Sequence, residues 1–444
     1  MTDILDQTSD SSGVGDVRIL LRVVEGLPEL HQRVLKVLSI AYGIGRAEFD
    51  ELWGALPAFG EAPPVEAVSA VTALPIVESL GGRLRVSPTL GVELARGLAS
   101  SEPELFDQVH EALATVERER ERELEAADPH GEMLWQTKAL VAYYLLRNSP
   151  SVASSKFIES FDDVPVNDRR TCRLWLADLS DRYTRISGEA TRVGRFFRAF
   201  RLYVAAMKDE AESEFRSLVE EDASDSIAAI SEHLVAIILP WDHADRRRLL
   251  EASVELSEGL GLSENLIMSR NSLVFQSLRE SLSGDDVPAR LQEARELAVA
   301  NDLHAASVGI PVYLTATKYA RAVAETELAS RVSGDLAEKD VMIERILDQG
   351  ESNAIAAHDV GSWLRSRLAR VDLLVRLERP EDALRSLSHG VETIERAEAI
   401  PELPRRQFER QAEIVQSRFA PGSAESDEID QLDRRFRRAL RRHR

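Results

Sequence analysis

The stretch WDHADRRR at 241–248 sets Asp242, His243 and Asp245 close together, residue types and spacing that could hold a metal ion or poise a general base. It also follows Pro240 at the start of a helical run, where an Asp caps the helix and a His is merely exposed. The capping role is the expectation adopted. AHDV at 357–360 offers less. The nine histidines include no H-E-x-x-H and no His/Cys set at zinc spacing. There is no Gly-x-Ser-x-Gly elbow and no glycine-rich phosphate loop. Cys172, the single cysteine, excludes an intrachain disulfide and reads as a small core residue before RLWLADL. The chemistry expected is therefore none: no catalytic residue, no metal and no cofactor.

Charge is the stronger signal. The chain of 444 residues has a net charge of −21, with 49 Arg against 6 Lys. Residues 1–100 carry 8 basic and 13 acidic residues, net −5, whereas RRFRRALRRHR at 434–444 carries seven Arg and no acid. The body at 101–433 is then −23, which repels polyanions and favours solubility. After the linker-like APGSAESDE, Ile429, Leu432, Phe436 and Leu440 fall near one helical face with Arg on the others. Arg434, Arg435, Arg437, Arg438, Arg441 and Arg442 are candidate polyanion contacts. Three uses of such a helix are open: docking on the acidic body or a second copy, nucleic acid, or an anionic membrane, the last being the weakest.

The N-terminal MTDILDQTSDSSGVGD has no basic residue before Arg18 and lacks the apolar core of a signal peptide. The longest apolar runs, such as LVAIIL at 234–239, fall far short of the roughly 20 residues that span a bilayer. A cytoplasmic protein is expected.

The elements that would position any site are nearly all helical. An aromatic share of 6% and abundant Ala, Leu, Glu and Arg favour helix. In the head, VRILLRVVEGL (17–27), PELHQRVLKVLSIAYG, RAEFDELWGAL and VEAVSAVTAL read as helices. ALPIVESLGGRLRVSP (73–88) then puts two β-prone runs around Gly81-Gly82, and Ser87-Pro88 opens another helix. Three helices followed by a hairpin is the order of a winged helix. The run from LPELHQRVLKVL through RLRVSPTLGVELA resembles the winged-helix domain of bacterial signal-transduction ATPases with numerous domains, relatives of plant disease-resistance and apoptotic ATPases. Ser87-Pro88 stands where that pattern has His-Pro, and no Gly-x-x-x-x-Gly-Lys-Ser/Thr occurs, so nucleotide hydrolysis is not implied. Arg83 and Arg85 on the hairpin are the head's candidate phosphate contacts. VEAVSAVTAL, the third helix of that winged-helix run, offers Glu66, Ser69 and Thr72 and no cation, a poor reader of DNA bases.

From Glu102 the chain reads as helix after helix, starting with EPELFDQVHEALATVERERERELEAAD, whose Glu/Arg end is expected to be solvated. GEMLWQTKALVAYYLLRN places Leu134, Trp135, Leu140, Tyr143 and Leu146 in a core. A shift of 41 residues lays LEASVELSEGLGL (250–262) on LQEARELAVANDL (291–303), matching Leu250 to Leu291, Leu256 to Leu297 and Leu262 to Leu303. Each copy precedes a long apolar helix, SENLIMSRNSLVFQSLRESL or AASVGIPVYLTATKYARAVAETELA. Helix pairs that recur must stack to bury their apolar faces. The pair at 362–397 resembles a tetratricopeptide repeat, with Leu374, Ala383, Leu387 and Gly390 at motif positions, Glu378 in place of the turn glycine and Val371 in place of a small residue.

The fold expected is all-α: a leader at 1–16, a winged helix at 17–100, a helical linker domain at 101–188, a tetratricopeptide-like α-solenoid at 189–420, and a linker with a basic helix at 421–444. The function expected is a non-catalytic scaffold or sensor in a bacterial regulatory or defence system. Its partner, a peptide or helix, would lie in a groove lined by Arg270, Asn271, Tyr313, Lys318, Arg365 and Arg367. The alternative is a DNA-binding regulator that uses the winged helix and the Arg tail, with the solenoid sensing a ligand.

Overall fold

The computed structural model describes residues 13–56, 65–80, 83–128, 131–164, 169–282, 286–396 and 404–442. These residues form 21 α-helices and one small sheet, and the chain divides into two compact units, Met1–Leu218 and Val219–Arg444.

The first unit opens with α1 (Gly13–Glu25), α2 (Glu29–Ile40), β1 (Ile44–Gly45), α3 (Arg46–Ala55), α4 (Val65–Thr72), β2 (Val77–Leu80), β3 (Arg83–Val86) and α5 (Pro88–Ser101). Pro28 precedes α2 and Pro88 begins α5, where the missing N–H costs nothing. The Gly45 amide donates to the Glu48 carboxylate at 2.9 Å, which closes the start of α3. The three strands are antiparallel in the order β1-β3-β2, with Ile44 opposite Leu84 and Glu78 opposite Arg85. The Gly81-Gly82 turn lies outside the described residues. Val34, Leu35, Leu38, Phe49, Leu52, Trp53, Val68, Val71 and Leu90 fill the core between these helices and the sheet.

The same unit continues through α6 (Pro103–Ala127), α7 (Glu132–Leu145), α8 (Pro150–Asp162), α9 (Arg169–Ser187) and α10 (Arg192–Val204) to α11 (Lys208–Glu221). The opening helices are tied to this bundle: the Tyr42 amide donates to the Tyr144 hydroxyl at 3.0 Å, and Arg182 donates to the Ser39 carbonyl at 2.5 Å. Leu134, Trp135, Leu140, Tyr143, Leu146 and Cys172 are all buried. Phe157 and Phe161 of α8 pack edge-on against Phe196, Phe197 and Phe200 of α10, so residues after 189 share a core with α8.

The second unit is an α-solenoid of five antiparallel pairs. They are α12 (Ser226–Ile238) with α13 (Asp245–Leu260), α14 (Ser263–Glu280) with α15 (Val287–Val308), α16 (Pro311–Leu328) with α17 (Leu336–Ala356), α18 (Val360–Arg376) with α19 (Pro380–Arg396), and α20 (Arg405–Gln416) with α21 (Ala424–Arg442). The first helices of the pairs also pack on one another in succession and so present one continuous face. Leu364, Leu368, Leu374, Ala383, Leu387 and Ile394 share a core with Phe408, Val415, Ile429, Leu432, Phe436 and Ala439. The basic terminal helix is thus built into the array, with Phe436 stacked on Phe408 at 3.9 Å.

Two sequence expectations change. The 41-residue match holds at Leu250 and Leu291, both fully buried, but fails at its end: Leu262 is buried whereas Leu303 is 67% exposed. The cause is length. Gly261 takes φ +73° and ends α13, while α15 has Asp302 at the matching point and runs on to Gly309 at φ +76°. The run AASVGIPVYLTATKYARAVAETELA is accordingly two pieces, because Gly309 and Pro311 break it.

Three helices end on non-glycine residues in the left-handed region: Ala206 (φ +62°), His358 (φ +53°) and Glu378 (φ +59°). At Glu378, the position of the missing turn glycine, the Arg379 amide reaches back to the Leu374 carbonyl at 2.9 Å and the Glu378 amide to Val375 at 3.1 Å. The hydrogen bonds are those of a glycine-ended helix, but the Cβ is strained by about 1–2 kcal/mol. Glu378→Gly is expected to stabilise the protein by about 1 kcal/mol, net of the extra freedom glycine has when unfolded. Urea denaturation measures this, and an unchanged or lower midpoint would contradict it.

Candidate functional site

WDHADRRR forms the turn between α12 and α13. Ala244 is the cap residue of α13 and no side chain caps the helix through it; the Asp245 amide donates to His243 Nδ1 at 3.1 Å. The expected Asp cap is thus replaced by a His turn. Arg246 is buried, donates to the Ala236 and Leu239 carbonyls at 2.6 and 2.8 Å, and lies over the Trp241 ring at 3.9 Å. It satisfies the open end of α12. Among the described residues no three His, Cys, Asp or Glu side chains converge as metal ligands. Ser269 Oγ lies 2.9 Å from His233 Nδ1, but Ser269 is fully buried and also bonds Ser253, so the pair is core polarity within α12–α14.

The face shared by α14, α16 and α18 holds a cleft of about 250 Å³. Met268, Asn271, Ser272 and Phe275 line it from α14, Thr315, Ala316 and Tyr319 from α16, and Ser362 and Arg365 from α18. Positions 268, 271, 272 and 275 form one helical stripe that borders the stripe α14 buries through Ile267 and Val274; Asn271 and Phe275 sit at the shared edge, and Phe275 packs against the Val274 core. Phe275 and Tyr319 meet with ring centroids 5.7 Å apart, and Met268 is 36% exposed at the rim. Burial raises the Tyr319 phenol, so it stays protonated while its oxygen accepts from Gln407 at 3.3 Å. The cleft is apolar and aromatic at its base, with amide, hydroxyl and guanidinium groups around it. That chemistry suits an apolar side chain carried on a polar backbone.

Of the six groove residues expected from sequence, Asn271 and Arg365 line the cleft. The other four hold helices together. Tyr313 is buried and donates to Glu264 at 3.0 Å, and Lys318 pairs with Asp302 at 2.9 Å. Arg270 pairs with Glu258 at 3.2 Å, and Arg367 pairs with Glu351 while lying over Trp363 at 5.1 Å. Met268, Phe275, Ala316 and Tyr319 were missed because charge drew attention first. Their signal was a second apolar stripe on a helix already amphipathic.

The expected polyanion contacts divide similarly. Arg83 donates to the Gly43 carbonyl at 2.6 Å and to Glu117 at 2.6 Å, and Arg85 pairs with Glu78 at 2.7 Å. Arg435 pairs with Glu395 at 2.7 Å and Arg437 with Asp433 at 2.8 Å. Arg434, Arg438 and Arg441 are exposed, and the Arg442 side chain lies outside the described residues.

The Glu/Arg end of α6 is less solvated than expected, for Glu117 is 1% exposed beneath the hairpin. Burial drives its carboxyl up to about 7, against the opposing pull of Arg83. Nearby, burial brings the His110 imidazole down to about 4, and its Nδ1 lies 3.3 Å from the Tyr144 carbonyl. The imidazole is therefore neutral at neutral pH.

No family model matches the chain, and no curated protein matches it. Among solved structures the chain is similar to a signal-transduction ATPase with numerous domains that carries a tetratricopeptide repeat sensor, from Pyrococcus horikoshii. Identity is 11% and the TM-score 0.32, covering 99% of this chain and 66% of that one. This chain spans just under two thirds of that protein's length, and the likeness is too slight to bear on function.

Replacing Arg83 with Met should strand the Glu117 carboxylate and cost about 3 kcal/mol at about pH 8. Native Glu117 binds its proton more tightly than the unfolded chain does, so its contribution falls as pH rises from the unfolded value of 4.5 through about 7. The loss should therefore shrink at about pH 5 and be reversed by adding Glu117→Gln. Denaturation at the two pH values decides; a loss independent of pH would sink this account.

Proposed function

We propose that this chain is a non-catalytic scaffold or sensor that binds a segment of another protein in the groove of its solenoid. The observation that carries the reading is the cleft on α14, α16 and α18, whose Met268, Ala316 and Tyr319 lie outside the unit's core clusters, with Phe275 at its base packed on one side against the core of α14–α16. Its occupant is an extended or helical segment that presents an apolar or aromatic side chain to the Phe275–Tyr319 base, with its backbone polar groups met by Ser272 and Ser362. No covalent chemistry is required of these groups. The order of helices and the β1-β3-β2 sheet in the opening segment support a winged helix, used here as a structural or protein-binding module. Its α4 exposes Val65, Glu66, Ser69 and Ala70, and both hairpin arginines are engaged, which favours the scaffold over a DNA-reading head. A cytoplasmic setting in a bacterial regulatory or defence system accords with this reading; among the described residues no helix is long and apolar enough to cross a membrane.

A photo-crosslinking residue at Met268, in the full chain expressed in its host, should capture one protein segment that mass spectrometry maps to a defined sequence. Ala316→Trp fills the cleft from a half-buried position and should abolish that capture at least tenfold while leaving the thermal midpoint within a few degrees. Equal capture by the filled variant would refute the groove as the binding site.

A further inference from the structure

The last helix pair carries a second surface, of opposite character to the groove. Along the α20–α21 hairpin charge is segregated. Phe408 stacks on Phe436 and Gln416 bonds Asp430, so the helices run antiparallel, with 405–410 beside 433–442. That end holds Arg405, Arg406, Arg410, Arg434, Arg435, Arg437, Arg438, Arg441 and Arg442 against only Glu409 and Asp433. The opposite end holds Glu413, Glu425, Asp427, Glu428 and Asp430 with one Arg.

The ion pairs sort these cations. Arg405 is taken by Glu409, Arg435 by Glu395 and Arg437 by Asp433. Arg434, Arg438 and Arg441 are exposed and have no carboxylate partner among the described residues, and the same holds for Arg406 and Arg410. Ile429, Leu432, Phe436 and Ala439 point into the core, so at 100° per residue the three exposed arginines of α21 lie on the directly opposite face. They form a row about 10 Å long at 1.5 Å per residue. On α20 the buried face is Phe408, Gln411, Ala412 and Val415, and Arg406 and Arg410 again lie opposite it.

We infer that this outer face of α21 docks on the phosphodiester backbone of duplex nucleic acid, without reading its sequence. Each alternative anion lacks something this surface would need. A membrane-binding helix inserts apolar residues beside its cations, but Ile429, Leu432, Phe436 and Ala439 of α21 are committed to the core. A single strand is held by exposed aromatics, but Phe408 and Phe436 are fully buried and Phe419 packs against the same core. Guanidinium groups alone, spaced along a rigid helix, match a duplex backbone. The rest of the chain is strongly acidic, so the contact is confined to this end and is sensitive to salt.

The test measures binding of the full chain to a short mixed-sequence DNA duplex by fluorescence anisotropy over a salt series. About three phosphate contacts give a log–log salt slope near −3, and replacing Arg434, Arg438 and Arg441 together by Gln should abolish most of it and weaken low-salt binding at least tenfold. Arg435→Gln removes a cation held by Glu395 and should leave the slope unchanged, separating lost docking from lost folding. Three results would each overturn the inference: no duplex binding at low salt, equal binding by the triple variant, or tighter binding to anionic vesicles or poly-glutamate than to the duplex.

Discussion

The solenoid's groove depends on buried carboxylates, each held by a cation or phenol from a neighbouring helix. Asp302 of α15 is 2% exposed and receives Lys318, Arg321 and Thr317, all from α16. Glu264 of α14 receives Tyr313 of α16, Glu325 of α16 receives Arg295 of α15, and Glu351 of α17 receives Arg367 and Arg370 of α18. Such pairs add little net stability, because desolvation offsets most of the attraction. Their effect is on register. Sliding one helix by a turn would leave a charge buried and unmatched, at a cost of several kcal/mol, whereas sliding one apolar stripe over another is far cheaper. The cleft keeps its shape because its walls are locked at the back.

Glycine serves the same end where helices come closest. A side chain at Gly350 of α17 would come within 3.3 Å of both Lys318 and Ser366, and one at Gly390 of α19 within 3.3 Å of Leu364. The close approaches sit beside the carboxylate ties, so shape and charge specify the same arrangement.

Much of the helical architecture was legible because it follows from periodicity. Leu374, Ala383, Leu387 and Gly390 fell at motif positions, and all four are buried. Ile429, Leu432 and Phe436 read as one face and form one. What was not legible depends on partners distant in sequence. Tyr313 and Lys318 look like surface polar residues until Glu264 and Asp302 are brought against them, and Arg83 looks free until Glu117 arrives from 34 residues away. The groove was hidden for a related reason: an apolar residue on a second helical stripe looks the same in sequence whether a neighbour covers it or leaves it open. Glu378 shows the converse, a residue unsuited to its backbone whose position was nonetheless readable from the motif around it.

The unequal helices have an evolutionary corollary. The second helices begin at Asp245, Val287, Leu336, Pro380 and Ala424, giving intervals of 42, 49, 44 and 44 residues, and α15 is six residues longer than α13. Six residues of helix are about 9 Å, close to the diameter of a helix. Each interface therefore fits only its own neighbours. An array of identical modules can lengthen or shorten by unequal recombination, since any junction resembles any other. This one cannot: deleting or duplicating one pair would set a long helix against a short one and separate the carboxylates at the new junction from their cations. The number of repeats is frozen by their divergence, and variation is left to the side chains that face the groove and the outer face of the last pair.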